Sequence, residues 1–583
     1  MNFQDLAQHF IEEEKQFHLG GLITEKPHPK TSNLSERISK STPDGVRNLL
    51  EVDQDIIPVA KGIFNSPAYQ QLISALLGCI EKGKTVCFSS CGASGRLAII
   101  LESMWRSFWN DFINKYPESS DFIKKIENQV YSIMTGGDRA LIRSVENFED
   151  YQMFGRRQFK DSGLGKGDLL IALTEGGEIS SVIGTMKEAL DNKAEVFMIY
   201  NNPAEILSER FERSREMLNH PDVIKIDLTT GPMALAGSTR MQATTIAMLV
   251  VGAAMDECFD IITSTLNHRE QGIQQDEKSR TGLFYPDIFN SLLEQLKKPE
   301  AVNNIAQLID IESECYNKSG RVTYVADRYL LDIFSDTTER APTFMVPPFR
   351  QYDDKNSPAP WAFAKDPLHK AAESWLHLLK RSPRGLNWTK ADYRSMGAPP
   401  EIQDRVHSLD NEQILKFHIG KEDDPSRYNC PSSVLMRVSV NEPANRDFDA
   451  WWLDHARRYT QPVGLTIGKE SFKLSDAENI HIPLNLPSTM TNLFEHLAVK
   501  IIFNTLSTVT MAKIGRIQGN WMVQLDATNK KLTDRATRII AHFAKLPYDK
   551  ACLELFQTMD EPASHRLQYK NSYIIQTLDR LGV

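Results

Sequence analysis

Short apolar runs recur along this chain with room for one helix between them, and that rhythm restricts the fold more than any other feature. The runs are Thr85-Val86-Cys87-Phe88, Val130–Met134, Leu169–Leu173, Val196–Tyr200 and Val223–Ile226, with helical patterns such as Ala68–Glu81 and Leu97–Trp105 beside them. Strands this short, without polar alternation, are buried on both faces, and strands separated by helices pair in parallel. After a long helical segment near Thr239–Ile262 the rhythm restarts at Arg321–Val325, Val434–Val438, Gly464–Ile467 and Ile480–Leu484. The two halves therefore read as a degenerate duplication: an α/β fold with two doubly wound parallel sheets. The polar, turn-rich start reads as an arm with short helices outside the core. Pro347 to about Pro367, rich in proline and aspartate, reads as loop, and the tail from Ser488 as mostly helical. The expected division is an N-terminal arm over 1–60, a first unit over 61–275, a second over 276–511 and a C-terminal helical lid over 512–583.

A chain of 583 residues exceeds what one core organises, which agrees with two units. The net charge of −9 excludes an extended nucleic-acid surface, since phosphate neutralisation dominates such binding. No apolar run is long enough to span a bilayer, and the start lacks a basic segment followed by an apolar one, so the expectation is a cytoplasmic chain with no membrane partner. The seven cysteines are scattered without a C-x-x-C pair and read as free thiols in a reducing compartment. His369 and His377, with Trp375 between them, read as a packed pair rather than as ligands, and no metal or cofactor is expected.

Three segments carry chemistry. After the first strand, Ser90-Cys91-Gly92-Ala93-Ser94-Gly95-Arg96 leads small residues into a helix expected to begin at Gly95. A helix N-terminus offers unpaired N–H groups and the positive end of the helix dipole, which suits an anion. Ser94 adds a hydroxyl, and Gly92 and Gly95 let the backbone approach a ligand. The spacing is not G-x-G-x-x-G, which excludes a dinucleotide fingerprint. After Leu169–Leu173, Thr174-Glu175-Gly176-Gly177-Glu178-Ile179-Ser180-Ser181 repeats the design, and two such turns on one sheet share a crevice. Thr174 and Gly176 are candidate contacts. Glu175 and Glu178 suit a phosphate only if they point away; otherwise they bind sugar hydroxyls or serve as helix N-terminal carboxylates. The third segment, Gly231 to Gln242, offers Ser238 as the cap of the long helix, with Thr239 and Arg240 towards the crevice. Near the end, Lys531 and Arg535 are four residues apart and share a helix face, which by itself reads as a solvated basic stripe.

These segments together resemble the sugar isomerase (SIS) domain family, in the branch that contains N-acetylmuramic acid 6-phosphate etherase and the glucokinase regulatory protein. The resemblance rests on Gly21-Leu22-Ile23-Thr24-Glu25, Ser94-Gly95-Arg96, Gly136-Gly137-Asp138 with Glu146 and Glu149-Asp150, Gly237-Ser238-Thr239-Arg240-Met241, and Asn504–Thr508 through Asn529, Lys531 and Arg535. It implies a phosphorylated sugar as ligand and one site between two fused units, with Lys531 as a point charge and Arg535 as a forked donor to the phosphate oxygens. It places the branch's central glutamate at Glu149. The branch's second glutamate corresponds in the first unit to Met104, which cannot transfer a proton, whereas Asp336-Thr337-Thr338-Glu339-Arg340-Ala341-Pro342-Thr343 in the second unit echoes its pattern. Met233, Gln242 and Pro342 depart from the branch. The first reading is a hexose-phosphate-binding regulatory protein, with a sugar kinase as the kind of partner it implies. The alternative is an etherase-like lyase with Glu149 as base and Glu339 as acid.

Overall fold

The computed structural model describes residues 2–117, 121–145, 147–269, 284–404, 408–442, 445–525, 527–561 and 571–583, and it contains two five-stranded parallel sheets. The first is built from β1 Val86–Ser90, β2 Val130–Met134, β3 Leu169–Leu173, β4 Glu195–Tyr200 and β5 Val223–Asp227, in the order β2-β1-β3-β4-β5. The second is built from β6 Arg321–Val325, β7 Ala362–Lys365, β8 Ser433–Val440, β9 Gln461–Gly468 and β10 Glu478–Pro483, in the order β10-β9-β8-β6-β7. Read from its other edge, the second order repeats the first, so the duplication inferred from the rhythm is a duplication of topology. In both sheets the chain reverses its direction of winding beside the first strand. Ligands of such sheets bind at the carboxyl ends of the strands there.

Two expectations are corrected. β7 falls inside the segment read as loop; Ala362-Phe363-Ala364-Lys365 has one large apolar side chain and proline-rich flanks, and its strand conformation comes from pairing with β6. The early residues are also not outside the core. Leu34, Ile38, Val46, Leu49, Leu50, Val52 and Ile56 are buried in the main apolar cluster, and the helix Thr42–Asp53 packs against the helix Pro299–Asn317 of the second half. Val46, Leu49 and Leu50 form a short apolar stripe within a polar sequence, and tertiary packing realises it.

Close backbone contact and buried charge hold the parts in place. A Cβ at Gly155 would lie 1.7 Å from the Ser181 carbonyl oxygen, and one at Gly184 would lie 2.0 Å from that of Gln152. The helices Gln152–Asp161 and Ser180–Asp191 therefore touch backbone to backbone, which fixes the loop after β3. Arg381 of the second half reaches into the first, with Nε 2.9 Å from Glu102 Oε2 and Nη2 3.1 Å from Asp138 Oδ1. Arg384 and Arg106 also pair with Glu102. Burial raises the Glu102 pKa, but these three guanidinium groups outweigh that and hold it near about 2. Among the described residues no helix is long and apolar enough to cross a membrane.

Candidate functional site

The turn after β1 is tighter than the sequence suggested. The helix Gly92–Lys115 begins three residues before Gly95, with Cys91 at the cap position and no side-chain capping bond. The first intrahelical bond there runs from Gly95 N to Cys91 O at 3.0 Å, so the N–H groups of Gly92, Ala93 and Ser94 lie ahead of the hydrogen-bond ladder. Gly92 has φ +58° and open space around the position of a Cβ. At Gly95 a Cβ would meet Met134 Cγ at 2.8 Å, so packing on β2 also calls for glycine there.

The loop after β3 brings buried acids to the same place. Thr174, Glu175 and Glu178 are all buried, and Thr174 Oγ1, both Glu175 carboxylate oxygens and Glu178 Oε2 have no hydrogen-bond partner of good geometry. Burial pushes the Glu175 pKa up to about 8; the nearby Ser94 and Thr239 hydroxyls and Lys500 oppose this, and Glu339 adds to it. The Gly176 carbonyl accepts a 3.0 Å bond from Asn202 Nδ2, which also bonds Thr24 in the early segment. Lys531 Nζ lies 3.6 Å from Glu178 Oε1. Burial alone would lower the Lys531 pKa, but Glu178 and Glu149 keep it above the ordinary lysine range.

The remaining expected residues divide into those at the cradle and those with structural partners. Ser238 does not cap the long helix, which runs Gln242–Arg269; Met241 N instead closes a turn on the Ser238 carbonyl at 3.2 Å. Arg240 turns to the second half, 3.0 Å from Asp336 Oδ1 and 2.7 Å from Thr508 Oγ1. Arg535 shares a helix face with Lys531 but meets Glu25 through two bonds of 3.0 and 2.6 Å. With that pair formed, Arg535 is not the free fork the sequence suggested. Glu149 Oε1 accepts a 2.7 Å bond from Asn529 Nδ2, and its Oε2 lies 3.8 Å from the Cys91 sulfur at the helix start. Glu146 lies outside the described residues.

Glu339 lines a cavity of about 40 Å3 with Ala93, Arg96, Arg240 and Lys500. Arg96 links the halves there, donating to Gly92 O at 3.2 Å and to Thr338 Oγ1 at 3.5 Å. Lys500, which sequence reasoning missed, places Nζ 2.8 Å from Arg240 O, 3.4 Å from Met241 O and 2.9 Å from Thr245 Oγ1. Burial lowers its pKa to about 8, against the pull of Asp53, Glu175 and Glu339. It sits mid-helix among apolar residues, and only its distant partners distinguish it.

Residues 69–190 match the family model of the glucokinase regulatory protein N-terminal SIS domain. That segment is similar to a SIS domain. N-acetylmuramic acid 6-phosphate etherase 1 of Bacillus licheniformis is 24% identical over 234 residues, covering 40% of this chain and 67% of the relative. The N-acetylmuramic acid 6-phosphate etherase of Clostridium acetobutylicum is 27% identical over 234 residues, 40% of this chain and 68% of the relative. The tagatose-6-phosphate ketose/aldose isomerase structure from Escherichia coli aligns at 11% identity with a TM-score of 0.40, over 85% of this chain and 97% of that one; at that score it carries no functional weight.

Within this chain the duplication is unequal. Glu339 follows the end of β6 by as many residues as Met104 follows the end of β1. Each faces the crevice of the other half: Glu339 lines the small cavity beside Ala93, and Met104 lines one of about 660 Å3 with Arg328, His377 and His496. The larger cavity has no small-residue cradle, and its helix start is already occupied. Asp332, in the first turn of the helix Leu330–Phe344, lies 2.9 Å from His496 Nδ1 and places a protein carboxylate where an anion would otherwise dock. His369 and His377 stack with centroids 4.6 Å apart, as a packed pair should. With Asp366 they place three candidate ligand atoms within 4.8 Å of one another; His369 Nδ1 is 2.7 Å from Asp366 and His377 Nε2 is 3.3 Å from Asp327.

Proposed function

We propose that this protein binds a 6-phosphorylated amino sugar at the Ser94 cradle and cleaves its lactyl ether, as a carbon–oxygen lyase of the etherase class. The observation that carries the reading is the set of carboxyl groups at the start of the Gly92 helix. Glu149 lies beside Cys91, Glu175 beside Ser94, and Glu339 arrives from the second half beside Ala93 and Arg96. The etherase relatives name the sugar and the reaction. This reverses the order of the two readings drawn from the sequence alone.

In this reading the N–H groups of Gly92–Ser94, the Ser94, Thr174, Ser238 and Thr239 hydroxyls, the Gly176 turn and Lys531 hold the phosphate, with Arg240 and Arg535 positioning the segments around it. Glu149 takes the proton from the carbon next to the ether carbon, the ether C–O bond breaks, and Glu339 gives a proton to the departing lactate oxygen. Water then adds across the double bond. Each acid–base group contributes about 10²–10⁴-fold to such a step. The second reading, a hexose-phosphate-binding regulator with a sugar kinase as partner, is favoured by the family model's description.

One experiment separates the two. N-acetylmuramic acid 6-phosphate is incubated with wild type, Glu149→Gln and Glu339→Gln, and released lactate is measured. The etherase reading requires release by wild type and loss of at least about a hundredfold in both variants. No release by concentrated wild type, together with a melting temperature raised by hexose phosphates, would replace it with the binding reading.

A further inference from the structure

Glu175 and Glu178 are buried acids at the cradle that the resemblance does not account for; Glu178 faces Lys531 at 3.6 Å, whereas the surroundings of Glu175 are unusual. It is 3% exposed, and neither carboxylate oxygen has a hydrogen-bond partner of good geometry. Lys500, the cation that acts on Glu175, directs its ammonium to two carbonyls and a threonine hydroxyl. Glu339, a second carboxyl group and not a counter-charge, faces Glu175 from the second half, while Ser94 on the Gly92 helix and Thr239 on the signature segment present hydroxyls. A buried carboxylate with no well-formed hydrogen bond and no ion-pair contact is costly to keep ionised; the Ser94 and Thr239 hydroxyls and Lys500 offset only part of the cost, and the group takes up a proton instead. A neutral carboxyl next to the helix start is a hydrogen-bond donor, where an ionised one would repel an anion.

We infer that Glu175 is a ligand-binding residue of the Ser94 cradle that remains protonated and donates its proton in a hydrogen bond to an oxygen of the bound sugar phosphate. The inference rests on the sugar-phosphate reading above and extends it: the site selects a ligand rich in acceptor oxygens and binds it with the carboxyl proton in place. It also resolves how a loop with glutamates can serve an anionic ligand. Binding then requires the protonated fraction of the free protein, so affinity falls once Glu175 ionises. The sign follows from a raised pKa: the donor is fully present below about 8 and is lost as pH rises through that value. The phosphate group itself, with a second pKa of about 6, is already dianionic across that range and does not contribute to the change.

The test is a titration of wild type and Glu175→Gln with fructose 6-phosphate and with N-acetylmuramic acid 6-phosphate, from about pH 7 to about pH 9, by calorimetry. Glutamine keeps a donor and the shape but cannot ionise. Wild-type affinity is expected to fall about tenfold over that interval and the variant's to stay level. An infrared band of a protonated carboxyl, present in wild type at neutral pH and absent in Glu175→Gln, gives a readout independent of binding. A wild-type affinity that does not change with pH, an equally steep fall in Glu175→Gln (which would assign the titration to Lys500), or absence of the infrared band overturns the Glu175 role and leaves the sugar-phosphate reading intact. Failure of wild type to bind either sugar phosphate at any pH overturns both.

Discussion

Removing the charge of Glu25 tests how the early segment is fastened over the cradle. Glu25 is buried, with Arg535 at 3.0 and 2.6 Å and Arg538 Nη2 at 2.7 Å. A Cβ at Gly237 would lie 2.5 Å from Arg535 Nε and 2.7 Å from Glu25 Oε2, so the ion pair rests directly on the segment that carries Ser238 and Thr239. Burial raises the Glu25 pKa, but Arg535 and Arg538 outweigh it and lower it from 4.5 to about 2. That depression corresponds to about 3 kcal/mol of stability at neutral pH. A depressed carboxylate pKa stabilises above the unfolded value of 4.5, and the contribution is lost as pH falls from there through about 2. Glu25→Gln removes it at every pH and leaves Arg535 without its counter-charge, so the expected cost is about 3–5 kcal/mol. The assay is native-state hydrogen exchange of the segment around Leu19–Thr31, which reports local opening in a chain too large for one two-state transition. Exchange there is expected to accelerate by about a hundredfold or more in Glu25→Gln at neutral pH. The wild type is expected to lose the same protection on acidification. Acceleration below about tenfold, or an acid-induced loss as large in the variant as in wild type, would refute the reasoning.

Three further outcomes are expected. Ser94→Leu fills the cradle and abolishes the rise in melting temperature that hexose phosphates give wild type; an unchanged shift would remove Ser94 from the site. Arg381→Leu strips the bridge between Glu102 and Asp138 and costs about 3 kcal/mol, the low end for a broken buried pair because Arg384 and Arg106 remain on Glu102; native-state hydrogen exchange of the first sheet measures it. Gly155→Ala drives a methyl group into the Ser181 carbonyl, 1.7 Å from an ideal Cβ, and is expected to cost about 1–3 kcal/mol or more in the same assay, whereas Gly163→Ala, with nothing within 4 Å, tests only the strain of its left-handed φ.

The strands were legible because their cause is local. Nine of the ten appear as apolar runs, within a few residues of their observed ends, since a strand buried on both faces must be apolar throughout. β7 was not legible, because Ala362–Lys365 becomes a strand through its pairing with β6 and has no run of its own. The helix start after β1 was legible to within three residues from its small side chains.

The site divides along the same line. The sequence by itself determined that small-residue turns end two strands of one sheet, that Lys531 and Arg535 share a helix face, and that Glu339 sits in the pattern missing around Met104. Only the tertiary structure decided what each charge meets. Arg535 is committed to Glu25, 510 positions away, and Arg240 to Asp336 in the other half. Glu175 looked like an ordinary carboxylate at a helix entry until Ser94, Thr239 and Glu339 were brought around it without a cation to pair with. Backbone propensity and hydrophobic periodicity act over a few residues and leave their record in the sequence. The protonation state and availability of a buried group depend on every element that closes over it, and that is set by the fold.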